Sequence, residues 1–373
     1  MSIDSILKND ERAVFALREL YRDYGYLPYK MSRFEEYDLY VKNKDFLISD
    51  QVITFSDKNG RLLALKPDVT LSIIKNVPDK PGAVQKVYYS ENVYRADKGT
   101  REIKELMQVG LECIGDLGAF EIAEVVLLAA KSLARIGHSY ILDLSHMGLI
   151  SAVMDECGLS EAGKLRAVTC LRQKNSHELL SVCVDEGCNE ETARKMSALC
   201  TNSGHPDSVL SAITELVTSG AGKSALEELR QICALLQAQG FNDHIRIDFS
   251  VGSDMNYYSG VVFKGYLADV PAGILSGGQY DKLLQKMDRA SSGIGFAIYL
   301  DLLERLGHST AVFDVDSVLL YSAEDDIQQV ASVAETLREK GNVLVALYQP
   351  TGCTWRRLYA LQNGEAVLLE EHG

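Results

Sequence analysis

Three polar residues in two neighbouring extended runs have the types and spacing of an amino-acid site: Arg95, Gln108 and Glu112. Side chains alternate between the two faces of a strand, so the run 106–114 places Gln108, Gly110 and Glu112 on one face. A glycine between two polar side chains leaves a floor over which a flat ligand can lie. Arg95 suits a ligand carboxylate, Glu112 suits a cationic or N–H-rich group, and Gln108 can both donate and accept. This pattern predicts a pocket for an amino acid with a polar side chain.

The structural alternative for the same stretch is a salt-bridged antiparallel hairpin with a charged, solvated turn. We favour that interpretation for the turn itself, because exposed charge clusters contribute little to stability. Gln108 and Glu112 share their face with Leu106 and Ile114, and polar groups among apolar neighbours are costly unless something pairs with them. These two side chains are therefore the stronger candidates for contact with a ligand.

Two further pairs of residues are candidates for the same site. Asp68 and Thr70 lie at a strand-to-helix junction, where helix capping and ligand binding are equally good explanations. Tyr257 and Tyr258 follow a break, GSDMN, between two strand patterns, and core packing is the structural alternative for a tyrosine pair. The residues alone leave both explanations open for each pair.

The elements that must position these residues follow one another in a clear order. Amphipathic helices are predicted over 6–24 and 118–136, on either side of the hairpin. From about 148 to 243 the sequence is rich in Ala, Leu and Ser with a helical period, which predicts an all-helical insertion. Strand patterns return at 244. We predict a core domain over 1–310 and a short α/β domain over 311–373.

Composition limits the functions open to the chain. With 38 basic and 52 acidic residues the net charge is −14, and no basic run is present that would neutralise nucleic-acid phosphates. No apolar run approaches the roughly 20 residues of a membrane span. The first residues lack a signal-peptide pattern, so a cytoplasmic location is expected. The eight cysteines form no CxxC pair, and we expect reduced thiols and no metal site.

Six segments, in this order and with these separations, resemble the catalytic core of class II histidyl-tRNA synthetases. They are ALKPDVTLSI, VYYSENVYRAD, LMQVGLECIG, NYYSGVVF, GGQYD and GIGFAIYLDLLERL. The resemblance covers roughly residues 1–306, including the helical insertion. It implies an α+β fold in which helices flank an antiparallel sheet.

The resemblance also implies a role for each candidate in holding histidine. Asp68, Thr70 and Gln108 match the residues that hold the ammonium group, and Arg95 matches the arginine that takes the carboxylate or an ATP phosphate. Glu112 and Tyr258 match the residues at the imidazole. Tyr257 is expected to line the pocket. No catalytic residue, cofactor or metal is implied by these matches.

Three positions depart from the family pattern where synthetases carry cations that support adenylation. They are Ser253, before the tyrosine pair, Gln279, in GGQYD, and Leu302, in the last helix, where the motif's glycine is also replaced, by Tyr299. One lost transition-state cation costs about a hundredfold in rate, so adenylation is expected to be absent. The tail is acidic and shorter than an anticodon-binding domain, so no tRNA partner is expected.

A histidine pocket without adenylation resembles the synthetase-derived regulatory subunits of ATP phosphoribosyltransferase. That resemblance implies a short-form catalytic subunit as partner, L-histidine as effector, and a homodimer within a hetero-oligomer. The alternatives are a working histidyl-tRNA synthetase and a free-standing histidine-binding or histidine-activating paralogue.

Overall fold

The computed structural model describes residues 7–44, 47, 52–96, 102–137, 139–251, 257–303 and 313–372. The chain divides into two compact units, one of Asp10–Leu306 and one of Met1–Asn9 with Gly307–Gly373. The domain boundary predicted at 310 falls among residues 304–312, outside the described part of the chain. No helix in the described ranges is long and apolar enough to cross a membrane.

The strands are, in chain order, β1 Leu27–Pro28, β2 Phe34–Glu36, β3 Thr54–Ser56, β4 Leu62–Leu65, β5 Val84–Ala96, β6 Ile103–Gly115, β7 Tyr140–His146, β8 Ser203–Gly204, β9 Ile245–Asp248, β10 Val261–Leu267, β11 Leu275–Gln279, β12 Ser292–Tyr299, β13 Val315–Leu320, β14 Val343–Ala346, β15 Trp355–Gln362 and β16 Glu365–Glu371.

The α-helices are α1 Asn9–Asp23, α2 Tyr37–Lys42, α3 Thr70–Asn76, α4 Ala119–Ile136, α5 Met147–Glu156, α6 Glu161–Arg172, α7 Ser176–Asp185, α8 Glu190–Thr201, α9 Pro206–Thr214, α10 Gly220–Ala238, α11 Asp281–Lys286 and α12 Ile327–Arg338. The helices predicted over 6–24 and 118–136 are confirmed as α1 and α4.

A sheet of nine strands forms the centre of the larger unit, in the order β1-β5-β6-β12-β11-β10-β7-β9-β8. The predicted antiparallel sheet is confirmed for the six strands at its centre, which lie in the order β5-β6-β12-β11-β10-β7. Two pairs, β1 with β5 and β7 with β9, are parallel, which the sequence pattern did not predict. A smaller sheet, β2-β4-β3, precedes the hairpin of β5 and β6.

Each face of the large sheet packs against its own apolar cluster. On β6, Val109, Leu111 and Cys113 join the main core, to which α4 contributes most of its buried side chains. Ile114 faces the opposite way and joins a second cluster with residues of α3 and α11. The predicted alternation along β6 is therefore confirmed, and the face of Gln108 and Glu112 is the one opposite α4.

The predicted insertion contains the six helices α5 to α10, but it is not entirely helical. Ser203 and Gly204 form β8, which pairs with β9 at the edge of the large sheet. Gly204 has φ +139°, a conformation open to glycine, and this allows the loop after α8 to extend along β9.

The smaller unit contains the predicted short α/β region. Its sheet has the order β14-β13-β15-β16, with β13 parallel to both neighbours and β16 antiparallel to β15. Helix α12 packs its Val330, Ala334 and Leu337 against this sheet.

Candidate functional site

All seven residues predicted for the site line a single cavity of about 570 Å³ in the larger unit. They come from the junction of β4 and α3, from the hairpin of β5 and β6, and from the segment before β10. The predicted members are Asp68, Thr70, Arg95, Gln108, Glu112, Tyr257 and Tyr258. Sequence positions nearly 200 residues apart therefore meet on one face of the large sheet.

The cavity floor consists of small residues on adjacent strands. Gly110 on β6 is paired with Ala297 on β12, which is paired with Ser276 on β11. In the next row Glu112 is paired with Gly295, which is paired with Gly278. The small-residue floor predicted at Gly110 therefore extends across three strands, but it is covered by neighbouring side chains: Tyr89 lies over Gly110 and Glu112 over Gly295.

Glu112 is the buried acid of the cavity, with 2% of its surface exposed. Its Oε1 accepts a hydrogen bond from Thr70 Oγ1 at 2.7 Å, and its Oε2 accepts one from Tyr280 Oη at 2.5 Å. Burial raises the pKa of Glu112 from 4.5 to about 8, although these two hydrogen bonds oppose the shift. A cationic or N–H-rich ligand would compensate for that burial by stabilising the carboxylate.

The junction of β4 and α3 is fixed onto the end of β5 by two hydrogen bonds. Lys66 O accepts from the Tyr94 amide at 2.9 Å, and Pro67 O accepts from Arg95 Nε at 2.9 Å. Beneath it, Lys66 Nζ is fully buried and contacts Glu91 Oε2 at 2.6 Å. These contacts hold Arg95 at the cavity beside Asp68. Burial raises the pKa of Asp68, and the hydrogen bond from the Leu71 amide and the charge of Arg95 oppose this shift.

Asp68 both caps a helix and lines the cavity. Its Oδ1 accepts from the amide of Leu71 at 3.0 Å, which caps the first turn of α3. The same side chain lines the cavity beside Thr70. Capping and ligand contact are therefore compatible here, because a carboxylate has two oxygens and several acceptor positions.

Gln108 has an amide nitrogen that lacks a hydrogen-bond partner within the described part of the chain, although only 3% of the residue is exposed. Buried polar atoms are almost always paired, so this donor indicates an acceptor that a ligand or a water supplies. Gln108 lines the cavity, and the donor therefore belongs to the site.

The tyrosine pair forms an aromatic wall. The rings of Tyr257 and Tyr258 meet edge to face with centroids 4.6 Å apart. Tyr258 covers Gly278, because a Cβ at that glycine would lie 2.7 Å from the ring. Burial raises the pKa of both tyrosines, so their hydroxyls remain protonated and can donate to a ligand.

The sequence pattern missed other residues of the cavity. Tyr280 lies in the GGQYD segment. Its contact with Glu112 could not be predicted without knowing that β11 pairs with β12. Lys264 lies on β10, and the alternation of side chains along that strand could have indicated that it faces the cavity. Arg172 at the end of α6 also lines the cavity, and no local pattern could have shown this.

The positions that depart from the synthetase pattern have other contacts. Gln279 donates from Nε2 to Asp281 Oδ2 at 2.7 Å, and Leu302 packs against the main core. Tyr299 lines the cavity. Ser253 lies outside the described residues.

The fold defines a class II synthetase-like protein, with a polar cavity on its central sheet. The model of one family, described as histidyl-tRNA synthetase, matches residues 5–303. The chain therefore belongs to the histidyl-tRNA synthetase family.

Curated relatives divide between two kinds of protein. The chain is 27% identical over 329 residues to an ATP phosphoribosyltransferase regulatory subunit from Alkaliphilus metalliredigens. This alignment covers 86% of this chain and 83% of that protein. It is also 29% identical over 338 residues to a histidine–tRNA ligase from Treponema denticola, which covers 85% of this chain and 75% of the relative.

Solved structures share the fold. One, described as an ATP phosphoribosyltransferase regulatory subunit/histidyl-tRNA synthetase from Bacillus halodurans, has a TM-score of 0.75 at 24% identity, over 92% of this chain and 90% of that one. A chain of the ATP phosphoribosyl transferase (HisG:HisZ) complex from Thermotoga maritima has a TM-score of 0.62 at 18% identity, over 78% of this chain and 97% of that one.

Proposed function

We propose that this chain is the regulatory subunit of an ATP phosphoribosyltransferase and binds L-histidine in the cavity on its central sheet. One contrast carries the proposal. The polar side chains predicted to line the cavity, from Asp68 to Glu112, are all present. Gln279 and Leu302, in contrast, are uncharged residues at positions where the synthetase pattern has a cationic one. The similarity to relatives named as regulatory subunits, over most of both chains, supports it.

The cavity offers a partner for each polar group of histidine. The ring nitrogens lie at Glu112 and Tyr258, which can share one proton with the imidazole. The ammonium group lies at Asp68 and the amide oxygen of Gln108. Arg95 takes the carboxylate, and the unpaired amide nitrogen of Gln108 supplies a further donor for it.

Thr70 acts through Glu112 in this arrangement. Its hydroxyl donates to Glu112 Oε1 and so orients the carboxylate. Thr70 also lies beside the ammonium group of the bound histidine and contacts it. Tyr280 holds the other oxygen. The two hydroxyls keep the acid in one rotamer, which prepares it for the ring.

Regulation follows from linkage. Histidine inhibits the enzyme complex only if it binds the inhibited arrangement more tightly than the active one, with a coupling free energy of typically about 1–3 kcal/mol. The partner is a short-form catalytic subunit, and the complex is a hetero-oligomer that contains a homodimer of this chain. The chain itself performs no adenylation, has no tRNA partner and works in the cytoplasm.

The deciding experiment measures phosphoribosyl transfer to ATP by the short-form catalytic subunit of the same organism. The rate is followed with and without this chain, across a titration of L-histidine. Activation by the chain together with inhibition by histidine is the expected result. A rate that responds to neither addition would refute the proposal.

A second candidate function is histidyl-tRNA synthetase, which the similarity to the Treponema denticola ligase favours. Histidine-dependent exchange of pyrophosphate into ATP by the purified chain tests it. Exchange at the rate of a working synthetase would establish this activity and contradict the regulatory proposal.

A further inference from the structure

The cavity continues along the sheet well beyond the seven predicted residues. One row of paired residues runs across five strands: Tyr89, Gly110, Ala297, Ser276 and Lys264. Neighbouring strands are roughly 4.8 Å apart, so the first and last residues of the row are separated by about 19 Å. Lys264 therefore lines the cavity at the end away from the strand of Arg95.

Lys264 is positioned by the residues around it. Its aliphatic chain lies against Gly273, because a Cβ at that glycine would collide with Lys264 Cε. Its ammonium group is 5.6 Å from the ring centroid of Tyr266. Both Lys264 and Gly273 line the cavity, so the glycine provides the space in which the lysine reaches it.

Arg172 supplies a second cation to the cavity, from a different part of the fold. It is the last residue of α6, in the helical insertion, and it is exposed. We place it towards Lys264 because Lys174, two residues further along the chain, pairs with Asp248, and Asp248 and Lys264 both lie close enough to Asp143 to affect its pKa. Within the residues that the structure describes, neither Arg172 nor Lys264 donates a hydrogen bond or forms an ion pair, and both line the cavity.

The carboxylates in this region offset only part of the positive charge. Asp248 forms a salt bridge with Lys174, whose Nζ lies 2.5 Å from Asp248 Oδ2. Asp143 is paired with Lys264 across β7 and β10. Burial and the neighbouring Asp248 raise the pKa of Asp143 to about 6, and the cations Arg246, Lys174 and Lys264 oppose this shift. Asp143 is therefore mostly ionised at neutral pH and offsets part of the charge of Lys264, but the four cations Lys264, Arg172, Lys174 and Arg246 outnumber the two carboxylates Asp143 and Asp248.

We propose that Lys264 and Arg172 form an oxyanion-binding subsite at the end of the cavity opposite Arg95. A guanidinium group and an ammonium group that line the same part of one cavity suit a carboxylate or a phosphate. The oxyanion is either the carboxylate of the bound amino acid or a separate phosphate. The carboxylate case rests on the proposed binding of histidine in this cavity but places the carboxylate of the ligand at this subsite and not at Arg95, whereas the phosphate case is independent of the proposed function. In both cases the anion connects the helical insertion to the sheet.

The test compares Arg172→Gln and Lys264→Gln with the unaltered chain, using L-histidine and inorganic phosphate as separate probes in calorimetric titrations. Arg166→Gln is the matched control, because Arg166 is on the same helix and makes its ion pair with Asp185, outside the cavity. Thermal unfolding without either probe checks that each variant is folded.

We expect both variants to weaken binding of one probe about tenfold or more, and the control to leave it unchanged. Weaker histidine binding in phosphate-free buffer identifies the carboxylate as the oxyanion, and weaker phosphate binding with unchanged histidine binding identifies a phosphate. If both probes bind both variants as they bind the parent, or if only one variant has an effect, the paired subsite is wrong. If the parent binds phosphate through these residues but does not bind histidine, the proposed function fails and the subsite stands.

Discussion

Tyr280 donates a hydrogen bond from its hydroxyl to Glu112 Oε2 at 2.5 Å, which joins two residues 168 positions apart in the sequence. Burial raises the pKa of Tyr280, so its proton remains available to Glu112. Thr70 donates to the other carboxylate oxygen from the opposite side. The acid at the centre of the cavity is therefore held before any ligand binds, and the energetic cost of orienting it is met by folding.

Glu112→Gln should weaken histidine binding by about tenfold to a hundredfold. The neutral amide loses the charge-assisted hydrogen bond to the ring, which is worth about 1.5–3 kcal/mol. Calorimetric titration with L-histidine measures the change. Glu105→Gln, the same substitution at an exposed position on β6 outside the cavity, should bind as the parent does. Equal affinity of the Glu112 variant and the parent would refute the imidazole assignment.

Tyr280→Phe should weaken histidine binding and also lower the free energy of unfolding by about 1 kcal/mol, because a buried acceptor on Glu112 loses its donor. The two effects are measured by titration with histidine and by denaturant unfolding. Tyr348→Phe, at a position that is 84% exposed, removes a hydroxyl without a buried partner and should change neither quantity. A Tyr280 variant that matches the parent in both would show that the hydroxyl does not support the carboxylate.

The stability of the chain should depend on pH through Glu112. Its pKa in the folded chain is about 8, against 4.5 for the ordinary residue, so the folded state binds more protons than the unfolded state between these values. This contribution to stability is fully present below about pH 4.5 and is lost as the pH rises through 8.

Urea unfolding of the parent and of Glu112→Gln from pH 5 to 9 isolates this contribution, because other shifted carboxyls such as Asp143 and Asp281 are common to both chains. We expect the stability difference, variant minus parent, to increase with pH. A difference that stays constant over the range would mean that Glu112 titrates as an ordinary exposed glutamate.

The sequence predicted those parts of the site that depend on local geometry. The face shared by Gln108, Gly110 and Glu112 follows from the period of one strand, and the helical cap at Asp68 follows from one turn of α3. Tyr280 and Arg172 could not be predicted in this way, because their place at the cavity depends on strand order and on how the helical insertion folds. The same reason explains the parallel pair of β7 and β9, since pairing direction is not encoded in a strand's own alternation.

Gly295→Ala should disable the cavity without replacing any polar group in it. A Cβ at this position would collide with Glu112 Oε2 and with the Leu111 carbonyl oxygen, so β6 would shift and the carboxylate would have to leave its place between Thr70 and Tyr280. Overpacking of this kind costs about 1–3 kcal/mol of stability, and we expect histidine affinity to fall at least about tenfold with it. Gly220→Ala is the control, because nothing lies within 4 Å of a Cβ at the start of α10. Because Gly295 has no side chain to contact histidine, a loss of affinity in a folded variant would show that the placement of Glu112 on β6, and not only its presence, determines binding. Unchanged affinity in a folded Gly295→Ala chain would contradict that conclusion.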